Sequence, residues 1–178
     1  MKKNLSIAIL LATFSTSVVA ADSGFYAGGG VGQANTKLDN GTLSKKSDTA
    51  FSLLGGYRLS QNMAVEAQYA NLGKVSSAAG NADIAAIAAI AATAVVAVPL
   101  NTEFSFYGKL GFARTSYKGA ANGVSVNRTT ATFGLGGLFK LDPNLGVRMG
   151  WDRYAIGDAS TVSEGNVDLI SVGVVYKF

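Results

Sequence analysis

The sequence predicts an all-β fold, an eight-stranded antiparallel up-and-down transmembrane β-barrel, on three observations. Apolar residues recur at every second position in one segment after another, the period of a strand with two unlike faces. Short turn signals alternate with longer polar stretches. The final stretch, GNVDLISVGVVYKF, sets Ile170, Val172, Val174, Tyr176 and Phe178 on one face, and Leu169, Ser171, Gly173, Val175 and Lys177 on the other. Aromatic residues at the end of an apolar face suit a membrane interface.

The opening MKKNLSIAILLATFSTSVVAAD has a basic start at Lys2 and Lys3, an apolar core and a small-residue site at Val18, Val19 and Ala20. That is the layout of a secretory signal peptide over residues 1–20, cleaved after Ala20 or Ala21. Its apolar run falls short of the ~20 residues a membrane anchor needs. Residues 21–178 then form one barrel domain.

Composition narrows the function. Taking Lys2 and Lys3 from the 15 basic residues leaves 13 against 11 acidic, and those 13 are scattered, so no basic stripe for nucleic acid exists. The chain has no cysteine, so no disulfide supports the exported fold. It also has no histidine, which removes the commonest general base and zinc ligand. No catalytic residue, metal site or cofactor is expected.

The first strand, residues 24–35, sets Phe25, Ala27, Gly29 and Val31 against Tyr26, Gly28, Gly30 and Gly32. Its glycine spacing matches neither phosphate-binding pattern, so the glycines are read as thinning a crowded wall. A polar loop over 36–47 leads to the second strand, 48–59, and a tight turn at 60–62 to the third, which sets Met63, Val65, Ala67 and Tyr69 against Glu66 and Gln68. Residues 83–98, DIAAIAAIAATAVVAV, are ambiguous, because alanine favours a helix and Ile84, Ile87 and Ile90 fall three apart. A strand is preferred, since a loop and a turn bound the segment and its removal would leave seven strands where such barrels use an even number.

The fifth strand, 102–118, turns Phe104, Phe106, Leu110 and Phe112 outward and Tyr107, Lys109 and Thr115 inward. The sixth, 124–141, ends at the turn Asp142, Pro143, Asn144. The seventh, 145–156, sets Val147, Met149 and Trp151 against Arg148 and Asp152, and a loop over 157–164 precedes the closing strand. Turns after even strands are short and connections after odd strands longer, the asymmetry of periplasmic turns and extracellular loops.

Three stretches carry a resemblance: FSLLGGYRLSQNMAVEAQYANLGKV from Phe51, YGKLGF from Tyr107, and VRMGWDRYAIGDAST…GNVDLISVGVVYKF from Val147. In order and spacing they resemble the eight-stranded barrel domain of outer membrane protein A and its relatives. The resemblance implies a barrel located in the outer membrane of a Gram-negative envelope; the sequence departs from many members in that the peptidoglycan-binding domain they carry after the barrel is not expected beyond Phe178. The resemblance also implies that Tyr176 and Phe178 form the closing-strand signal read by the barrel assembly machinery. In that family an interior Glu on strand three faces an interior Arg on strand seven, and a Lys on strand four competes for the pair. Glu66 and Arg148 match the first two positions; the third falls near Val95, leaving Lys109 as a substitute.

Strand parity sends Glu66, Lys109, Arg148 and Asp152 into the lumen with Arg58 and Lys140, and isolated charges there must pair. A satisfied polar core is the first reading, because such a barrel is just wide enough to be filled by its own side chains; a small, rarely open pore is the alternative. Lys45, Lys46, Arg114, Lys118 and Arg153 fall near the outer rim, where they are either solvated or bridge lipopolysaccharide phosphates. The expectation is a monomeric, non-enzymatic envelope protein in contact with outer membrane lipid and lipopolysaccharide. The alternatives are a surface protein that binds or adheres through its loops and, least supported without histidine, a lipid A-modifying enzyme.

Overall fold

The computed structural model describes residues 23–38, 46–76, 83–119, 125–158 and 161–178. The segment 1–20 read as a signal peptide lies outside them. Eight strands follow in order: β1 (Gly24–Leu38), β2 (Lys46–Arg58), β3 (Met63–Ser76), β4 (Asp83–Pro99), β5 (Phe104–Gly119), β6 (Ser125–Lys140), β7 (Leu145–Asp158) and β8 (Thr161–Lys177). Each pairs antiparallel with the next, and β8 returns to β1 from Tyr26↔Lys177 to Leu38↔Gly165. The closed ladder has no free edge, which is what a sheet surrounded by lipid requires.

The ambiguous alanine-rich segment is β4, paired with β3 from Met63↔Val96 and with β5 as far as Pro99↔Ser105. Isoleucines three apart fall on opposite faces of a strand, so Ile87 is buried in the lumen while Ile90 is 63% exposed on the outside. Helix propensity loses here because a helix would strip both neighbours of their backbone partners.

The long-loop ends differ from the sequence expectation. Strand pairing continues through polar residues that read as loop: β1 runs to Leu38, β2 begins at Lys46, and most of 157–164 belongs to β7 and β8. A loop was expected there because these stretches are polar, but polarity does not interrupt a ladder of backbone hydrogen bonds. The β3–β4 register slips between Asn71 and Lys74, where Gly73 has a φ of 82° and its N–H donates to Asn71 Oδ1 at 3.0 Å. A Cβ at Gly73 would run into the Asp48 side chain, so both conformation and space favour glycine.

The three short turns repeat one geometry. The N–H of Leu59, Leu100 and Leu141 donates to the carbonyl of Met63, Phe104 and Leu145, each at 2.9 Å. In two of the turns a side-chain oxygen also accepts from the backbone: Asn101 Oδ1 from Phe104 N–H at 2.6 Å and Ser60 Oγ from Met63 N–H at 3.2 Å.

The outside near these turns is apolar. Phe25, Leu53, Phe106, Leu110 and Met149 are exposed there, and Phe112 and Ile170 continue the apolar outside toward the other end. Aromatic pairs ring the same end, Phe25 with Tyr57 at 4.8 Å, Phe104 with Phe106 at 5.0 Å and Tyr176 with Phe178 at 5.2 Å between centroids. At 13 to 17 residues the strands outrun the ~9–11 that cross a bilayer, so their far ends project beyond the lipid. Along that projection the amphipathicity reverses. Gln33, Thr49, Asn127 and Thr129 are exposed outside, while Ala34, Ala50, Leu72, Ile87, Ala113, Tyr154, Val167 and Leu169 form an apolar cluster inside. The lumen is therefore not polar throughout, as its charged residues had suggested; beyond its charged middle, away from the short turns, it is largely apolar.

Candidate functional site: the barrel lumen

Two polar layers cross the lumen. In the first, nearer the short turns, Arg148 on β7 donates from Nη1 to Glu66 Oε1 at 2.5 Å and from Nη2 to Oε2 at 3.1 Å, a fork that matches the carboxylate plane. Strands β3 and β7 lie opposite each other in the eight-membered ring, so this pair spans the interior. Tyr26 on β1 donates to Glu66 Oε1 at 2.7 Å. The Arg148 guanidinium sits 4.0 Å from the ring centroid of Tyr107 on β5, whose hydroxyl donates to the Met149 carbonyl at 3.2 Å.

In the second layer Lys109 on β5 donates to Gln68 Oε1 at 2.6 Å and to Asp152 Oδ2 at 3.0 Å. Asp152 Oδ1 lies 2.9 Å from the same Nζ, but outside hydrogen-bonding geometry. Lys109 thus engages Asp152 and Gln68 and does not compete for Glu66, the part the resemblance had left open for it. Both partners are all but removed from water. Losing one member of such a pair typically costs about 3–5 kcal/mol, because the survivor is left charged and unmatched.

Glycines make room for this filling. Gly56 is the register partner of both Tyr26 and Glu66, and a Cβ on it would strike the Tyr26 ring. Gly136 faces Tyr107, and a Cβ there would strike the Tyr107 hydroxyl. Gly134 lies between Lys109 and Asp152 in register, and a Cβ there would strike the Asp152 carboxylate. Large inward side chains and glycines thus alternate around the ring, a pairing visible only once the register is known.

The layers divide the interior. Toward the short turns a cavity of about 630 Å³ opens outward, floored by Tyr26, Glu66, Tyr107 and Arg148. Around Gln68, Lys109 and Asp152 the packing is close, with a void of about 20 Å³ beside them. Beyond that lies the apolar cluster.

The other residues singled out from the sequence are placed as follows. Arg58 and Lys140 line the open cavity. Arg114 is exposed on the outside, two residues beyond Phe112. Arg153 is held by Asp168, at 2.6 Å from Nε and 2.8 Å from Nη2, and its guanidinium lies 5.1 Å from the Trp151 ring centroid. Lys45 and the side chains of Lys46 and Lys118 lie outside the described residues. Tyr176 and Phe178 are exposed at the short-turn end. Sequence reading missed Asp168, which sits directly opposite Arg153 in the β7–β8 register, and the hydroxyl of Tyr26; the inward parity of Tyr26 was the available signal. Among the described residues no group of three or more His, Cys, Asp or Glu is placed to hold a metal ion.

The family model for the outer membrane protein beta-barrel domain matches residues 6–178. No curated protein sequence matches the chain. Among solved structures it is similar to Neisserial surface protein A, at 20% identity and a TM-score of 0.72, covering 88% of this chain and 98% of that one. It is also similar to Ail, the attachment invasion locus protein of Yersinia pestis, crystallised with the heparin analogue sucrose octasulfate: 22% identity, TM-score 0.61, 88% and 99% covered. The N-terminal barrel domain of Pseudomonas aeruginosa OprF follows at 12% identity and a TM-score of 0.59, with 87% and 98% covered. Identities this low speak for the fold alone. With the closed ladder, the lipid-facing band and the family match together, the chain belongs to the outer membrane protein beta-barrel family, a family of the Gram-negative outer membrane.

Proposed function

We propose that the protein is a non-enzymatic structural element of the outer membrane whose barrel is shut to through-flow. The observation that carries this reading is the sequence of barriers along the lumen: the Glu66–Arg148 layer, the Lys109–Asp152–Gln68 layer and the apolar cluster beyond. A charged solute crossing it would have to separate both ion pairs and then enter an apolar interior, so the filling acts as a brace. Arg114 supports an envelope-strengthening role, since it is exposed on the outside level with Ile90 at the edge of the apolar band, where its donors could reach lipopolysaccharide phosphates. The test is purified protein in a planar bilayer. Silent membranes are expected, and reproducible unitary conductance from the unmodified chain would sink the reading.

A second reading, recognition at the cell surface, is favoured by one observation: the strands continue past the lipid as a stiff collar with a polar outside and an apolar core. Such a collar would carry the ends of β1, β2, β5 and β6 beyond the membrane surface. Binding of protein-bearing nanodiscs to host-cell surfaces, compared with empty discs, would distinguish the two.

A further inference from the structure

The cavity at the short-turn end has no part in bracing the barrel, and its chemistry is that of a binding site. Its volume, about 630 Å³, lies in the ~300–1,000 Å³ range of small-molecule sites. Its side walls are apolar, with Val95, Ala97, Leu138 and Val175 facing inward. The lining carries Arg58, Lys140 and Lys177 toward the mouth against one acidic residue, Asp142. Glu66 at the floor does not offset them, being held by both nitrogens of Arg148 and by Tyr26.

Arg58 and Lys140 form no ion pair or side-chain hydrogen bond among the described residues. Arg58 is the register partner of Gly24, on a wall shared with the Phe178 carbonyl oxygen and the Lys177 side chain, while Lys140 comes from the opposite strand, so the two cations on which the site rests face each other across the mouth. Charge at the mouth, apolar walls below and a neutralised floor describe a receptor for one kind of molecule.

We propose that this vestibule binds, from the short-turn side, a small organic anion with an apolar tail. The anionic head, a phosphate or carboxylate, rests on the cationic mouth led by Arg58. The tail lies against Val95, Ala97, Leu138 and Val175 above the Glu66–Arg148 floor. The same chemistry is offered by a soluble periplasmic amphiphile and by the headgroup of an anionic lipid in the adjacent leaflet. The site stands whether or not the lumen conducts.

The test uses the full barrel in nanodiscs of zwitterionic lipid, titrated with hexyl phosphate and followed by backbone amide shifts. Saturable shifts are expected at Tyr26, Ala97 and Leu138, with hexanol and inorganic phosphate each binding more weakly. The R58E/K140E double variant should lose about tenfold or more in affinity, the scale of a lost hydrogen bond to a charged group. Should that variant fail to fold, R58Q alone, which removes one mouth charge, should show a smaller loss in the same direction. Shifts confined to lipid-facing residues such as Phe106 and Leu110, or equal affinity in folded variants, would overturn the proposal. Weakened binding in discs doped with phosphatidylglycerol would identify the occupant as a lipid headgroup, and unchanged binding as a soluble amphiphile.

Discussion

Gly134 on β6 and Asp152 on β7 share a register position, and the Asp152 carboxylate occupies the space a side chain at residue 134 would need. Lys109 sits on the far side of the same glycine, so one missing side chain accommodates an entire buried ion pair. Gly134→Val should therefore separate Lys109 from Asp152 as well as crowd the lumen. Overpacking alone costs about 1–3 kcal/mol. Urea unfolding of the refolded barrel in lipid vesicles, read by Trp151 fluorescence, should show a loss at least that large; a loss below it would mean the ion pair simply moves aside.

The Glu66–Arg148 pair invites a double-mutant cycle. Glu66→Ala leaves Arg148 charged over Tyr107 and deprives Tyr26 of its acceptor, for an expected loss of about 3–5 kcal/mol. Removing both partners should destabilise by less than the sum of the single changes, because no unmatched charge survives. Strict additivity in vesicle unfolding would mean that water in the open cavity solvates each group separately.

Leu169 and Ile170 are chain neighbours on β8, yet one is fully buried in the lumen and the other is 58% exposed on the outside. Leu169→Ala should cost about 2–5 kcal/mol, since a packed interior collapses only partly around the hole. Ile170→Ala should cost less, because lipid chains can fill the space it leaves. Measuring both variants in one lipid tests whether the outer lumen is a packed core; equal losses would argue that it is loose.

The Arg153–Asp168 pair faces outward on the projecting collar, with the arginine side chain about a third exposed. In water such a pair contributes little and is screened by salt. Asp168→Asn should therefore leave the urea midpoint in vesicles close to that of the unmodified barrel, with any difference shrinking at high salt. A larger, salt-insensitive loss would place this part of the barrel inside the lipid.

Much of this fold could be read in the chain. Period-two apolarity from Phe104 to Phe112 and from Ile170 to Phe178 can be satisfied in lipid only by strands that show it one face, and backbone groups away from water oblige those strands to close on themselves. Short turns after β2, β4 and β6 then set the topology, and parity alone sent Glu66, Lys109, Arg148 and Asp152 inward. Beyond Glu66 and Arg148, which the family resemblance matched to a facing pair, partnership was not legible, because it depends on stagger between strands far apart in sequence. Folding puts Lys109 against Asp152 rather than Glu66, sets Asp168 beside Arg153, and aligns Gly56, Gly134 and Gly136 with the side chains that need their space. The reversal of amphipathicity also required the closed barrel, since only there are Val167 and Leu169 seen to join side chains from the other strands in one apolar core, near the level where the outside turns from lipid to water.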